Sequence, residues 1–120
     1  MKNNNNDDNN IIGTFVLDFQ TIDFSHDDKI AINMINEYQQ ACQLENQFAL
    51  DEPVSSAGWS FAKLFLAGLF VEKLYAQHRY EIDSSKGKKF EDKFIAWLEI
   101  QLKNRGCSAQ IKKAPEMKSV

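Results

Sequence analysis

Leu64-Phe65-Leu66-Ala67-Gly68-Leu69-Phe70-Val71 is an unbroken run of eight apolar residues, and its reading decides the fold. As helix it covers more than two turns, so every side of that helix is apolar there. Ser55, Ser56 or Ser60 offers an N-cap upstream, and Glu72, Lys73, Gln77 and Arg79 alternate with Leu74, Tyr75 and Ile82 downstream. The pattern predicts a central helix over about 57–82. A helix apolar all round is buried all round.

Working outward toward the C-terminus, Asp83-Ser84-Ser85-Lys86-Gly87 is a turn. A third helix is expected over about 89–104, where Phe90, Phe94, Trp97, Leu98 and Leu102 share an arc and Gly106 gives a stop signal. Working toward the N-terminus, Ser25 with Asp28 three residues on has capping-box spacing, and Asp51-Glu52-Pro53 closes the segment. A helix over about 26–50 is expected there. Its apolar arc holds Ile30, Met34, Ile35, Tyr38, Cys42, Leu44 and Phe48.

Residues 11–24 alternate instead, with Phe15, Leu17 and Phe19 on one side and Thr14, Asp18 and Gln20 on the other. That is a strand period, but a lone strand has no backbone partner. The segment is expected as an extended or strand-like arm. The fold expected is mostly α: an antiparallel bundle of three main helices (about 26–50, 57–82 and 89–104) with that arm and flexible ends. The first ten residues, with six asparagines and no apolar residue after Met1, are read as a disordered tail. Residues 11–106 form the single helical domain and 107–120 a flexible C-terminal tail.

The bundle leaves an imbalance. Each helix of three buries about half its surface, whereas Leu64–Val71 needs cover on every side. The arm, a second copy or a foreign chain would supply it, and each additional Leu or Phe buried is worth roughly 1.5–3 kcal/mol.

Charge and composition restrict the function classes. The chain has 120 residues and net charge −3, divided unevenly: residues 1–60 carry 2 basic and 10 acidic side chains, residues 61–120 carry 12 and 7. Packing of an acidic half against a basic half accounts for this, and steering of a partner is the alternative. Two cysteines 65 residues apart make no disulfide framework, and the Asn/Asp-rich start is unlike a signal peptide, so a cytoplasmic, intracellular protein is expected. The longest stretch with a single charge, Ala57–Val71, would span roughly 22 Å as helix, too short for a membrane.

No catalytic or metal-binding constellation stands out. His26, Cys42, His78 and Cys107 lack the short spacing of zinc ligands, and the five glycines never cluster into a phosphate loop. No catalytic, cofactor or metal residue is therefore assigned. Glu37 and Glu45 fall on the apolar arc of the first helix, where an ion pair with Lys63 or Lys73 explains them better than an acid/base pair.

Two surfaces invite partners. Asn36, Gln40, Gln43 and Gln47 belong to an amide-rich helix face that suits an interface or base edges, although the leading asparagine run points to compositional bias. Together with Phe15, Leu17, Phe19, Phe65 and Leu69 they are the expected interaction residues. Lys86, Lys88, Lys89 and Lys93 are the expected contacts for an anionic partner. The function expected is a small protein–protein interaction module (adaptor, accessory subunit or inhibitor) without catalysis, bound to another chain as homodimer or heteromer. A nucleic-acid-associated regulator using the basic second half is the alternative, weakened by a pI of about 5.3.

Overall fold

A computed structural model describes residues 13–115 and corrects the expected architecture. The protein is α+β, with a five-stranded antiparallel sheet, and not a mostly α bundle of three helices. In chain order the elements are β1 (Thr14–Thr21), α1 (Phe24–Ala41), β2 (Phe48–Leu50), β3 (Val54–Ser56), β4 (Trp59–Ala67), α2 (Gly68–Gln77), α3 (Arg79–Asp83), α4 (Phe90–Asn104) and β5 (Gln110–Lys113). The sheet order is β2-β4-β1-β5, with β3 also on β4, beyond β2 along the same edge.

The decisive run is half strand and half helix. Trp59–Ala67 is extended, and the helix begins at Gly68. Ala62, Leu64 and Leu66 are buried on one side, while Phe61, Lys63 and Phe65 occupy the other. Both sides carry apolar residues because β4 is a central strand, and a short apolar run of that kind has no period to distinguish it from buried helix. Its extension also supplies the partner that the arm lacked. β1 pairs with β4 along its whole length, from Thr14 opposite Ala67 to Thr21 opposite Ser60.

The first expected helix also changes. α1 starts two residues before His26, so Ser25 lies inside it, and the N-cap position is Asp23, whose side chain makes no capping bond. The helix ends at Ala41 because Gln43 and Asn46 take positive φ (60° and 57°), and the chain turns back into β2. The buried Gln39 amide fixes that turn, donating to Asn36 Oδ1 (3.0 Å) and accepting from Gln47 N (2.6 Å). Pro53 sits between β2 and β3, where Asp51 Oδ1 accepts from Lys63 N (2.6 Å). β3 and β4 meet at Ala57-Gly58, both at positive φ as a mirror-image hairpin turn requires.

The end expected to be flexible is in part ordered. Cys107 and Ala109 are buried, and β5 pairs with β1 from Gln110 opposite Gln20 to Lys113 opposite Leu17. The expected disordered tail at 1–10, and residues beyond 115, lie outside the described residues.

The core is one layer between sheet and helices. Leu17, Phe19, Leu64 and Leu66 meet Met34 and Ile35 of α1, Phe70 and Leu74 of α2, Ile82 of α3, and Phe94, Trp97 and Leu98 of α4. An aromatic seam crosses it, with Phe15 edge-on to Phe94 (5.6 Å between centroids) and Trp97 tilted 34° against His78 (5.0 Å). Asp27 pins three segments together. Its fully buried carboxylate accepts from Thr21 Oγ1, Ser108 N (3.1 Å) and Ser108 Oγ (2.9 Å), joining β1, α1 and the approach to β5.

Candidate interaction surface

Among the described residues, the four helices contribute to the core on one side of the sheet, and none of them covers the other face. Pairing register places that face in rows running across the strands. The first is Ala49, Phe65, Val16 and Ala114, the last joined through its N–H to Val16 O (3.0 Å). The second is Asp51, Lys63, Asp18 and Lys112, and the third is Val54, Phe61, Gln20 and Gln110. Trp59 and Ser56 continue the face toward the hairpin.

A solvent-facing antiparallel sheet normally alternates polar-out against apolar-in. Here the outward positions include Phe61, 39% exposed, and Val54, 68% exposed, with Phe65, Val16 and Trp59 half-buried. Lys63 Nζ donates to Asp18 Oδ1 (2.5 Å) in the middle of this strip. Asp18, Gln20, Asp51, Glu52, Val54 and Phe61 surround a shallow cleft of about 340 Å³ there.

Both edges of the sheet are blunted against strand addition. On the β5 side, Glu99 of α4 accepts from Ile111 N (3.0 Å), so a carboxylate occupies the N–H that a foreign strand would use. On the opposite side, the edge is two strands of three residues each, separated by Pro53, which has no N–H to offer. The apolar surface that the sheet itself offers is thus a face and not an edge.

The expected interaction residues are distributed unevenly. Leu17 and Phe19 are fully buried and belong to the core, so they are unavailable to a partner. Phe65 lies on the uncovered face, and Leu69 is half exposed at the start of α2. Phe15 lines a groove of about 730 Å³ at the end of β1, with Val71, Tyr75, Phe90, Glu72 and Glu91. Asn36, Gln40 and Gln43 line a polar hollow with Gln39, Glu45 and Asn46, and the Gln47 backbone is held by Gln39. Lys86, Lys88 and Lys89 are exposed before α4, whereas Lys93 Nζ donates to Asp83 O (3.1 Å). The Asp18–Lys63 pair and the exposure of Phe61 and Val54 escape sequence reasoning, because apolar residues on both sides of Trp59–Ala67 leave no period-2 signal there.

No family model matches the chain, nor does any curated protein or solved structure.

The remaining reactive groups have structural surroundings. Among the described residues no three His, Cys, Asp or Glu side chains converge as metal ligands. His26 Nε2 lies 3.3 Å from Gly106 O, and the His78 ring is edge-on to Tyr38. Glu37 pairs with Arg105 (3.0 Å) at the surface, apart from the exposed Glu45. Burial pushes the Cys107 thiol up to about 11 and raises that of Cys42 as well. Burial also opposes ionisation of Asp27, but the hydrogen bonds from Thr21 and Ser108 outweigh it and hold the carboxyl below its ordinary value. No helix among the described residues is long and apolar enough to cross a membrane.

Proposed function

We propose that this protein is a small, non-catalytic interaction module, located in the cytoplasm, that binds another polypeptide through the uncovered face of its sheet. The observation that carries this reading is the exposure of Phe61 and Val54 beside half-buried Phe65 and Val16 on a solvent-facing sheet. Apolar surface of this kind, on either side of a row of charged side chains, suits a protein interface, where desolvated aromatic side chains supply most of the binding energy. A carboxylate on one edge, and two three-residue strands divided by Pro53 on the other, favour face packing over strand exchange. The basic loop residues Lys86, Lys88 and Lys89 precede α4, outside the aromatic strip. A nucleic-acid partner therefore has less support.

The test compares wild type with a Phe61→Asp, Phe65→Asp double variant whose circular dichroism is unchanged. Both are cross-linked in extract from the native cell, and the cross-links are mapped by mass spectrometry. Polypeptides, a second copy included, should cross-link to β1, β3 and β4 in wild type and be lost in the variant. Retention of the same partners by the variant, or no polypeptide bound to either, refutes the reading.

A further inference from the structure

We infer that the occupant of the uncovered face is a second copy of this chain, joined face to face about a two-fold axis running along the strands. This rests on the proposed role of the face and adds the identity of its partner. The argument is the order of charge in the middle row. Asp51, one residue past β2, lies beside Lys63 of β4, Asp18 of β1 and Lys112 of β5, and the row reads minus, plus, minus, plus. A two-fold axis along the strands lays this row on its own reverse. Asp51 then opposes Lys112 of the second copy, and Lys63 opposes Asp18, so all four positions meet opposite charge.

The neighbouring rows fit the same operation. Reversal of the first row sets Phe65 against Val16, a large side chain on a smaller one. In the third row it sets Phe61 against Gln20 and spreads Val54 and Gln110 to the margins. The other in-plane axis, perpendicular to the strands, brings Asp51 onto Asp51 and Lys63 onto Lys63. The charge row therefore selects one isologous packing and disfavours the alternative. Two sheets packed this way stay within the usual aligned arrangement, about 30° apart and about 10 Å between layers.

The size of the face sets the strength. Eight residues of β1 span about 26 Å, and four strands abreast span roughly 14–19 Å, a footprint of roughly 400–500 Å² for each copy. That is at the low end of specific interfaces, so association is reversible and concentration-dependent. Ion pairs in such an interface set register more than they add affinity.

Sedimentation velocity over about a hundredfold range of concentration tests this with wild type and two variants. Wild type should shift from monomer to dimer. Lys112→Glu, at an exposed position outside the Asp18–Lys63 pair, turns two attractive contacts into two repulsive ones and should weaken the dimer about tenfold or more. The Asp18→Lys, Lys63→Asp exchange keeps the pair within each chain and the complementarity between two variant chains. It places like charges against wild type, so native mass spectrometry of a mixture should show parental dimers and few mixed ones. A monomer at every concentration overturns the inference. So does a dimer indifferent to Lys112→Glu, or free mixing of exchanged and wild-type chains. Should wild type stay monomeric while face-dependent cross-links to other polypeptides persist, the face remains a binding surface and only its occupant is refuted.

Discussion

Replacing Asp27 with asparagine changes almost no volume but removes a charge on which three donors converge. Oδ2 accepts from the Thr21 and Ser108 hydroxyls, and Oδ1 accepts from Ser108 N. The amide can keep its oxygen on Ser108 N only by turning its NH2 toward the two hydroxyls, which must then accept where they donated, and all three bonds lose their charge assistance. Hydrogen bonds to a charged group contribute about 1.5–3 kcal/mol each, and they are not additive when they share an atom. The expected loss is about 3 kcal/mol at neutral pH. For roughly 100 folded residues this lowers Tm by about 12–24 °C. Urea melts at several pH values check it, and they also check the charge. Because the folded carboxyl is held below its ordinary value, its contribution is complete above about pH 4 and is lost as pH falls through the lower folded value. The gap between wild type and Asp27→Asn should be constant from about pH 5 to 8 and close below about pH 4. A gap under about 1 kcal/mol at pH 7, or one undiminished at about pH 3, refutes the reasoning.

Three further outcomes follow from local geometry. Ala57 takes φ 53° in the β3–β4 turn, a conformation that costs a residue with a Cβ about 1–2 kcal/mol, so Ala57→Asn should raise stability by about 1 kcal/mol in urea melts. Gly87 has φ 125°, and a Cβ there would stand 2.5 Å from Asp92 Cβ, so Gly87→Ala should cost about 2 kcal/mol by the same measurement. With its pKa near 11, about one Cys107 thiol in a thousand is ionised at pH 8; labelling with a thiol reagent should therefore be slow for the folded protein and fast in denaturant. An equal rate in both states would contradict the burial of Cys107.

Helix α4 begins at Phe90 and ends at Asn104, within a residue of the helix expected from the arc of Phe90, Phe94, Trp97, Leu98 and Leu102. Amphipathic period and a closing glycine suffice there because one side of the helix faces water. They fail for Trp59–Ala67, where both sides of a central strand carry apolar residues and the period disappears. The alternation of β1 was visible, and it carried an implication: an extended backbone needs a partner. The strand that meets this need is β4, which takes in the first half of the run expected as helix. β2, β3 and β5, of three or four residues each, are too short to show a period at all.

The same substitution of strand for helix decides where the surplus apolar surface lies. In a bundle, Leu64–Val71 would need cover on every side. In the sheet, Leu64, Leu66, Phe70 and Val71 are covered by this chain alone, and the surplus within the run falls to Phe65 and Leu69. Ile32, Leu69, Tyr80, Phe90 and Ile100 remain exposed singly on the helices, whereas the outward apolar side chains of the sheet are gathered by pleat and register. Phe65 stands beside Val16, and Phe61 beside Val54, with one charged row between them. Gathering matters because scattered apolar residues are ordinary on any protein surface, whereas apolar pairs collected on one face, on either side of an ordered charge row, are what the proposed interface would use. The alternation of Asp51, Lys63, Asp18 and Lys112 exists only in the folded sheet, since these four positions are spread over 95 residues of sequence.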